Sequence, residues 1–391
     1  MYILPRERYK EIIHLFDKSR FISSFRSHLE LISVSKEVFV DDIENPQSAL
    51  VMVNQMGFLG GKANNNTFNK ALFDYFFIEK KEEFIDLYNG SFFFYVESDD
   101  WINALYKVVP YPFAEDRYYY EIEELANKNW REMIPEGYTI EPINYTLLDR
   151  NYLKNYDWIM GVIEEAWSPF EERLKEIRGF YLLKGNEEIV SWCTTEYLTL
   201  ENDIEVNIAT REEYQRKGFG LIVGSATAEY CLAKYKTVGW HCAKRNIGSI
   251  KTAEKIGFKR KFEYRNIGFT LNTIDNLIIN GDIYSEKGMF EEAINYYEIL
   301  LDFYDQDLDD FSSSNYFTKD NLSIDKILFQ TAKCFAAMGK EKETIQFLEK
   351  AANQGFKNLK AYEEDKYLLS FQIKKERDQI REKIIENLSK E

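Results

Sequence analysis

The chain has 391 residues, 45% of them hydrophobic and 16% aromatic, which suffices for two or three folded domains and excludes a disordered chain. Its 66 acidic and 50 basic side chains leave a formal charge of -16, which repels phosphate backbones and excludes a broad nucleic-acid or anionic-membrane binder. Three histidines (His14, His28, His241) and four cysteines (Cys193, Cys231, Cys242, Cys334) form no CxxC or HExxH arrangement, so neither a metal site nor a disulfide framework is expected.

The start, MYILPRERYKEIIHLF, carries charges where a signal peptide needs an apolar run, and no later segment reaches the roughly 20 apolar residues of a membrane span. A cytoplasmic chain with buried thiols is the expectation. Residues 1–135 read as an α/β region: ERYKEIIHLF and NKALFDYFFIEKKEEFIDLY have helical spacing, and EVFVDD, SALVMV and SFFFYVES have strand character. The Gly- and Asn-rich run NQMGFLGGKANNNT reads as a loop between them.

In residues 136–272 strands and helices alternate. YTIEPI, GFYLLK, IVSWCTTEYL, DIEVNIAT, TVGWHCA and KFEYRNIGF are the strands, with helices around 153–166, 219–234 and 247–256, which predicts a mixed sheet with helices on its faces. Residues 273–391 are helical. There Gly281, Tyr284, Ala293, Tyr297 and Leu300 recur 51 residues later as Ala332, Phe335, Thr344, Leu348 and Ala351. Small residues where two helices approach and larger apolar ones on the facing turns suit a helix-turn-helix repeat. The pattern resembles tetratricopeptide repeats, and the polar insert QDLDDFSSSNYFTKDNL accounts for a period longer than the usual 34 or so. Asp275 to Asp325 hold 13 acids and two lysines, net -11, which reads either as a surface for a basic peptide or as a solvated helical face.

The chemistry is concentrated between Asp203 and Phe258. A strand, DIEVNIAT, leads into Gln215-Arg216-Lys217-Gly218-Phe219-Gly220, which opens a helix. Such a junction presents free N–H groups and the positive end of a helix dipole to an anion, and glycines let a pyrophosphate approach the main chain. The loop fits neither GxxxxGK[ST] nor GxGxxG, so nucleoside triphosphate and dinucleotide readings fail on spacing. Between Lys244 and Lys261 seven basic residues stand against Glu254 alone, a local net of +6 that suits a phosphate-bearing ligand.

Gln215, Gly218 and Gly220 resemble the [RQ]-x-x-G-x-[GA] loop of the GNAT superfamily of acyl-CoA-dependent N-acyltransferases. Asn246 to Ser249 followed by AEKIGF resembles that superfamily's second signature. VSWCTTEYL, VGWHCAKRNIGS and, further upstream, VFVDDIENPQSALV are similar to the zwittermicin A resistance-type group. The resemblance covers about residues 35–270 and implies a GNAT mixed sheet preceded by an α/β region; the all-α region that follows lies outside it, and the chain as a whole reads as α+β (α/β).

It further implies acetyl-CoA as co-substrate, its pantetheine arm along Ile208, Ala209 and Thr210, and its pyrophosphate on Arg216, Lys217, Gly218, Phe219, Gly220 and Leu221 beside Gln215. Asn246 and Ser249 would stand near the thioester. Acetyl transfer to an amine needs a base, because an ammonium has no lone pair with which to attack. On a covered central strand Glu205 is costly unless it lines a cavity, which makes it the candidate base, with Glu196 second; the alternative is a carboxylate that reaches solvent or pairs with a basic residue. Where many members carry a tyrosine acid this chain has Ala253, so Ser249, another tyrosine or water would serve, or none would. Two functions follow: an N-acetyltransferase acting on a primary amine of a small molecule or peptide, or a non-catalytic acyl-CoA binder whose repeats recruit a protein or peptide partner.

Overall fold

A computed structural model describes residues 1–16, 37–96, 98–166, 174–196, 202–306, 311–318, 322–370 and 374–389. His28, the end of IVSWCTTEYL beyond Glu196, and residues 307–310 and 319–321 of the acidic insert lie outside the described residues. The chain forms two compact units. One comprises Met1–Ala71, Phe93–Ala104 and Ala114–Ile267; the other comprises Leu72–Phe92, Leu105–Phe113 and Gly268–Glu391.

Twelve strands among the described residues lie in one sheet. They are β1 (Tyr2–Ile3), β2 (Glu37–Val40), β3 (Ser48–Val53), β4 (Met56–Gly61), β5 (Ser91–Tyr95), β6 (Phe113–Ile122), β7 (Tyr138–Pro142), β8 (Gly179–Lys184), β9 (Glu188–Glu196), β10 (Asp203–Thr210), β11 (Thr237–Ala243) and β12 (Lys259–Thr270). Their order is β1-β2-β3-β4-β5-β12-β6-β11-β10-β9-β8-β7. The helices are α1 (Asn66–Asp74), α2 (Lys81–Tyr88), α3 (Asp99–Val108), α4 (Tyr156–Ala166), α5 (Phe219–Leu232) and α6 (Ile247–Ile256), then α7 (Thr273–Glu286), α8 (Phe290–Asp305), α9 (Asn315–Thr318), α10 (Ile324–Ala337), α11 (Glu341–Asn353), α12 (Leu359–Glu364) and α13 (Lys374–Leu388).

In the first unit, strand alternation sorts side chains onto two faces. Ile204, Val206, Cys193 and Trp240 pack with Phe219, Ile222 and Val223 of α5 and with Ala253 and Ile256 of α6. Trp192, Tyr181 and Leu183 pack instead with Ile159 and Ile163 of α4. Both faces of the central strands are therefore covered.

Three N-terminal expectations change. NQMGFLGGKANNNT is not all loop: Met56–Gly61 pairs antiparallel with β3 from Val53↔Met56 to Ser48↔Gly61. Its glycines accommodate aromatic rings, since a Cβ on Gly57 would lie 2.5 Å from Phe94 and one on Gly60 2.6 Å from Phe16. The single helix expected over NKALFDYFFIEKKEEFIDLY is broken by a π-turn at Tyr75–Glu79, and ERYKEIIHLF winds as a 3-10 helix over Arg6–Phe16. A ten-residue strand absent from the expectations, β6, pairs antiparallel with β11 from Arg117↔Ala243 to Ile122↔Val238.

In the second unit α7 packs on α8 and α10 on α11, around Ile274, Leu277, Tyr297, Leu300, Ile327, Ala332, Leu348 and Ala351. A Cβ on Gly281 would lie 2.3 Å from the Tyr297 ring, so the close approach of α7 and α8 depends on that glycine. Gly281→Val should cost about 1–3 kcal/mol by overpacking, measured as a lower urea midpoint by circular dichroism. The acidic stretch is not wholly a solvated face. Asp275 is 1% exposed and accepts from Ser314 Oγ and the Asn315 N–H, and its burial pushes its carboxyl pKa up. Tyr297 donates to Asp282 at 2.6 Å.

Candidate active site

The site begins where two parallel strands part. β10 and β11 pair from Asp203↔Thr237 to Val206↔Trp240, after which β10 runs on to Thr210 and β11 to Ala243 without further pairing between them. β10 stays anchored on its other edge, pairing with β9 as far as Thr210↔Ser191. Ile208, Ala209 and Thr210 thus lie along one arm of a V, although parts of them are already engaged. Ser191 Oγ donates to the Ala209 carbonyl at 3.1 Å, and the Gln215 side chain donates to the Thr210 carbonyl at 3.3 Å. Gln215 therefore braces the loop to the strand end.

The loop that follows is held from below. Tyr214 donates to Glu188 at 2.8 Å and accepts from Lys184 at 3.1 Å, which fixes the turn Glu212–Tyr214 on the β8–β9 hairpin. Arg216 (φ 61°) and Gly218 (φ 84°) both take left-handed backbone, and Gly218 caps α5 with no side-chain hydrogen bond to its first turn. The first intrahelical bond is Ile222 N–H to the Gly218 carbonyl at 3.2 Å, so the N–H groups of Phe219, Gly220 and Leu221 have no partner within the helix. A Cβ on Gly218 would meet nothing within 4 Å, leaving open space before this helix end. A phosphate fits such a junction by charge and by hydrogen bonding.

The middle of α6 passes beside the same end of α5, since Thr252 Cγ2 lies 3.7 Å from where a Gly220 Cβ would stand. Asn246 caps α6, its side chain accepting from the Ser249 N–H at 3.0 Å, and Ser249 Oγ accepts from Trp240 Nε1 at 3.1 Å. Both residues thus have structural partners of their own. Ala253 is fully buried, and its methyl side chain has no proton to donate. The basic island is smaller in space than in sequence. Lys244 pairs with Glu263, Arg245 with Glu115 at 3.4 Å, and Lys261 with Glu121 at 3.3 Å and Glu123 at 3.6 Å. Strand pairing brings acids from β6 and β12 against these three, which a count along the chain does not register. Among the described residues, Lys251, Lys255, Lys259 and Arg260 have no acidic partner within ion-pair distance. Arg260 lies over the Tyr118 ring at 4.6 Å.

On the opposite face of β10 stands Glu205, its side chain 19% exposed, with Oε1 at 3.2 Å from His241 Nε2 on β11. His241 Nδ1 lies 2.9 Å from the Tyr264 hydroxyl of β12, which accepts from Arg117 Nε of β6 at 2.9 Å; Arg117 also donates to Glu115 at 2.7 Å. The Tyr119 ring packs on the imidazole at 4.6 Å. Burial, reinforced for Tyr119 by the Glu205 charge and for Tyr264 by Tyr95, raises both phenol pKa values well above the ordinary range, so both stay protonated at neutral pH. Burial works against the Arg117 charge, but its hydrogen bond to the Tyr264 oxygen and the Glu115 carboxylate beside it hold the guanidinium protonated. Glu196, the second candidate, accepts from Asn207 Nδ2 at 2.7 Å. His241, Tyr264 and Arg117 were not candidates from sequence; the one signal was a histidine alternating with Trp240 and Cys242 on a strand.

All four cysteines are free and buried. Burial drives the Cys193 thiol far above its usual pKa and Cys231 up to about 12, so neither is a nucleophile.

This arrangement coincides with a family pattern. The GNAT acetyltransferase family matches residues 13–267, and the chain belongs to that family. It is similar to an uncharacterised N-acetyltransferase, YdfB, of Bacillus subtilis (strain 168), with 23% identity over 262 residues, 67% of this chain and 95% of YdfB. Among solved structures it resembles a GCN5-related N-acetyltransferase-like protein from Streptococcus suis 89/1591, with a TM-score of 0.50 and 19% identity over 67% of this chain and 98% of that one. The protein is therefore an acetyltransferase with the GNAT mixed-sheet fold. No helix among the described residues is long and apolar enough to cross a membrane.

Proposed function

We propose that the chain transfers the acetyl group of acetyl-CoA to a primary amine of a small molecule or peptide by direct attack in a ternary complex. The observation that carries this reading is the parting of β10 and β11 beside a helix start with free N–H groups, with Glu205 and His241 on the other side of the same strands. Phe219, Gly220 and Leu221 hold the pyrophosphate through their N–H groups, with Arg216 and Lys217 nearby, and the acyl arm runs along Ile208 to Thr210 in the V.

Glu205 takes a proton from the amine, directly or through water, and frees the lone pair. The amine nitrogen then bonds to the acyl carbon and gives up its second proton to water, the C–S bond breaks, and CoA leaves as a thiolate that takes a proton from solvent, since Ala253 offers none; the product is the neutral amide. Protonated Glu205 returns its proton to water. Asn246 and Ser249 act by holding the start of α6 in place. The N-terminal region (1–135) shapes the acceptor side, residues 136–272 carry the chemistry, and residues 273–391 form a tetratricopeptide-like surface for a protein or peptide partner. Four free thiols suit a cytoplasmic enzyme.

An amine panel offered with acetyl-CoA, read by release of free thiol, tests the activity; binding without thiol release for any amine would favour the non-catalytic reading. Gly218→Val tests the loop. The fold has room for that Cβ, so the variant should stay folded at a backbone cost of about 1–2 kcal/mol. It should also raise the acetyl-CoA Kd at least about tenfold, or 1.4 kcal/mol, by filling the space in front of the helix. An unchanged Kd would remove the phosphate assignment.

A further inference from the structure

The contacts around Glu205 have a direction that hydrogen-bond chemistry fixes. An ionised carboxylate only accepts, so the 3.2 Å contact to Glu205 Oε1 requires a proton on His241 Nε2. A neutral imidazole carries one N–H, which leaves Nδ1 as an acceptor, and the 2.9 Å contact there must be filled by the Tyr264 O–H. Arg117 only donates, and it fills a lone pair of the Tyr264 oxygen at 2.9 Å. With the imidazole neutral and its proton on Nε2, the contacts from Arg117 through Tyr264 and His241 to Glu205 are all satisfied together.

Packing holds it. The imidazole lies against the Tyr119 ring at 4.6 Å and meets the Tyr264 ring edge to face at 5.5 Å. A Cβ on Gly239 would lie 2.8 Å from the Tyr119 ring, so the bare glycine two residues before His241 makes room for that ring. Four strands, β6, β10, β11 and β12, thus converge on one imidazole.

We infer that His241 is a positioning residue held as the Nε2–H tautomer by Tyr264 and Arg117, whose donation to Oε1 fixes the Glu205 carboxylate where β10 and β11 part. It does not exchange a proton with the substrate; it orients the base. The inference rests on Glu205 being the base.

The test begins without turnover. With three histidines in the chain, a long-range proton–nitrogen correlation spectrum of ¹⁵N-histidine-labelled full-length protein at pH 8 is assignable by comparison with His241→Gln. The expected result is an Nε2-protonated His241 with hydrogen-bonded Nδ1, whose Nδ1 resonance moves in Tyr264→Phe and whose Nε2 resonance moves in Glu205→Gln. A protonated Nδ1, or signals indifferent to Glu205→Gln, would overturn the inference. In turnover, His241→Gln, which keeps an N–H near the Nε2 position, should retain about tenfold more kcat than His241→Ala, with the acetyl-CoA KM the same in both. Equal losses in the two would mean that His241 only packs. If acetyl-CoA fails to bind while the spectrum is as expected, the proposed activity fails and the tautomer assignment stands.

Discussion

Replacing Glu205 by glutamine should lower kcat by about 10²–10⁴-fold, the usual worth of a positioned general base, while leaving acetyl-CoA affinity within about twofold. Glutamine has nearly the same shape and its carbonyl oxygen can still accept from His241, so the variant removes proton acceptance and little else. The carboxylate is positioned across the sheet from the helix start that would hold the pyrophosphate, which is why binding and chemistry should separate in this variant. Glu196→Gln should have a much smaller effect, because that carboxylate is already occupied by Asn207. Steady-state kinetics with any amine that is turned over measures both; equal losses would move the base assignment from Glu205 to the pair.

A large loss of stability is expected at Gly257→Ala. Gly257 has φ 125°, and a Cβ there would lie 2.6 Å from the Glu124 carbonyl oxygen and 2.8 Å from the Ala126 nitrogen. Both obstacles are backbone, and Ala126 N–H donates to the Ile256 carbonyl at 2.8 Å, so the segment after β6 cannot move aside without losing that bond. Left-handed strain and overpacking together should cost about 3 kcal/mol or more, seen as a lower Tm in calorimetry. The closing Gly-Phe of the second signature is therefore a packing requirement at the end of α6, and Phe258, 3% exposed beside Trp240 at 5.2 Å, is its other half.

Local pattern made β10, β11 and α6 legible: DIEVNIAT and TVGWHCA alternate, and the observed strands span Asp203–Thr210 and Thr237–Ala243 while the helix spans Ile247–Ile256. The glycine loop was legible for the same reason, since a strand, a turn and a helix follow one another in sequence. Elements whose identity depends on distant partners were not. β4 looked like loop because its glycines are explained only by the rings of Phe94 and Phe16. β6 was hidden because its polar side chains Glu115, Arg117 and Glu121 find their partners on other elements: Arg245 after β11, and Tyr264 and Lys261 of β12. The Glu205–His241 contact arises from one register, Val206 opposite Trp240, which no spacing along the chain encodes. For the same reason the island from Lys244 to Lys261 overstated its free charge, since strand pairing supplies Glu115, Glu121 and Glu263 to three of its members.

Isothermal titration of acetyl-CoA into the full-length protein tests the central claim most directly. The account predicts one saturable site per chain, weakened at least about tenfold by Gly218→Val and unaffected by Glu205→Gln. The absence of binding heat and of any Tm increase at millimolar acetyl-CoA would contradict it.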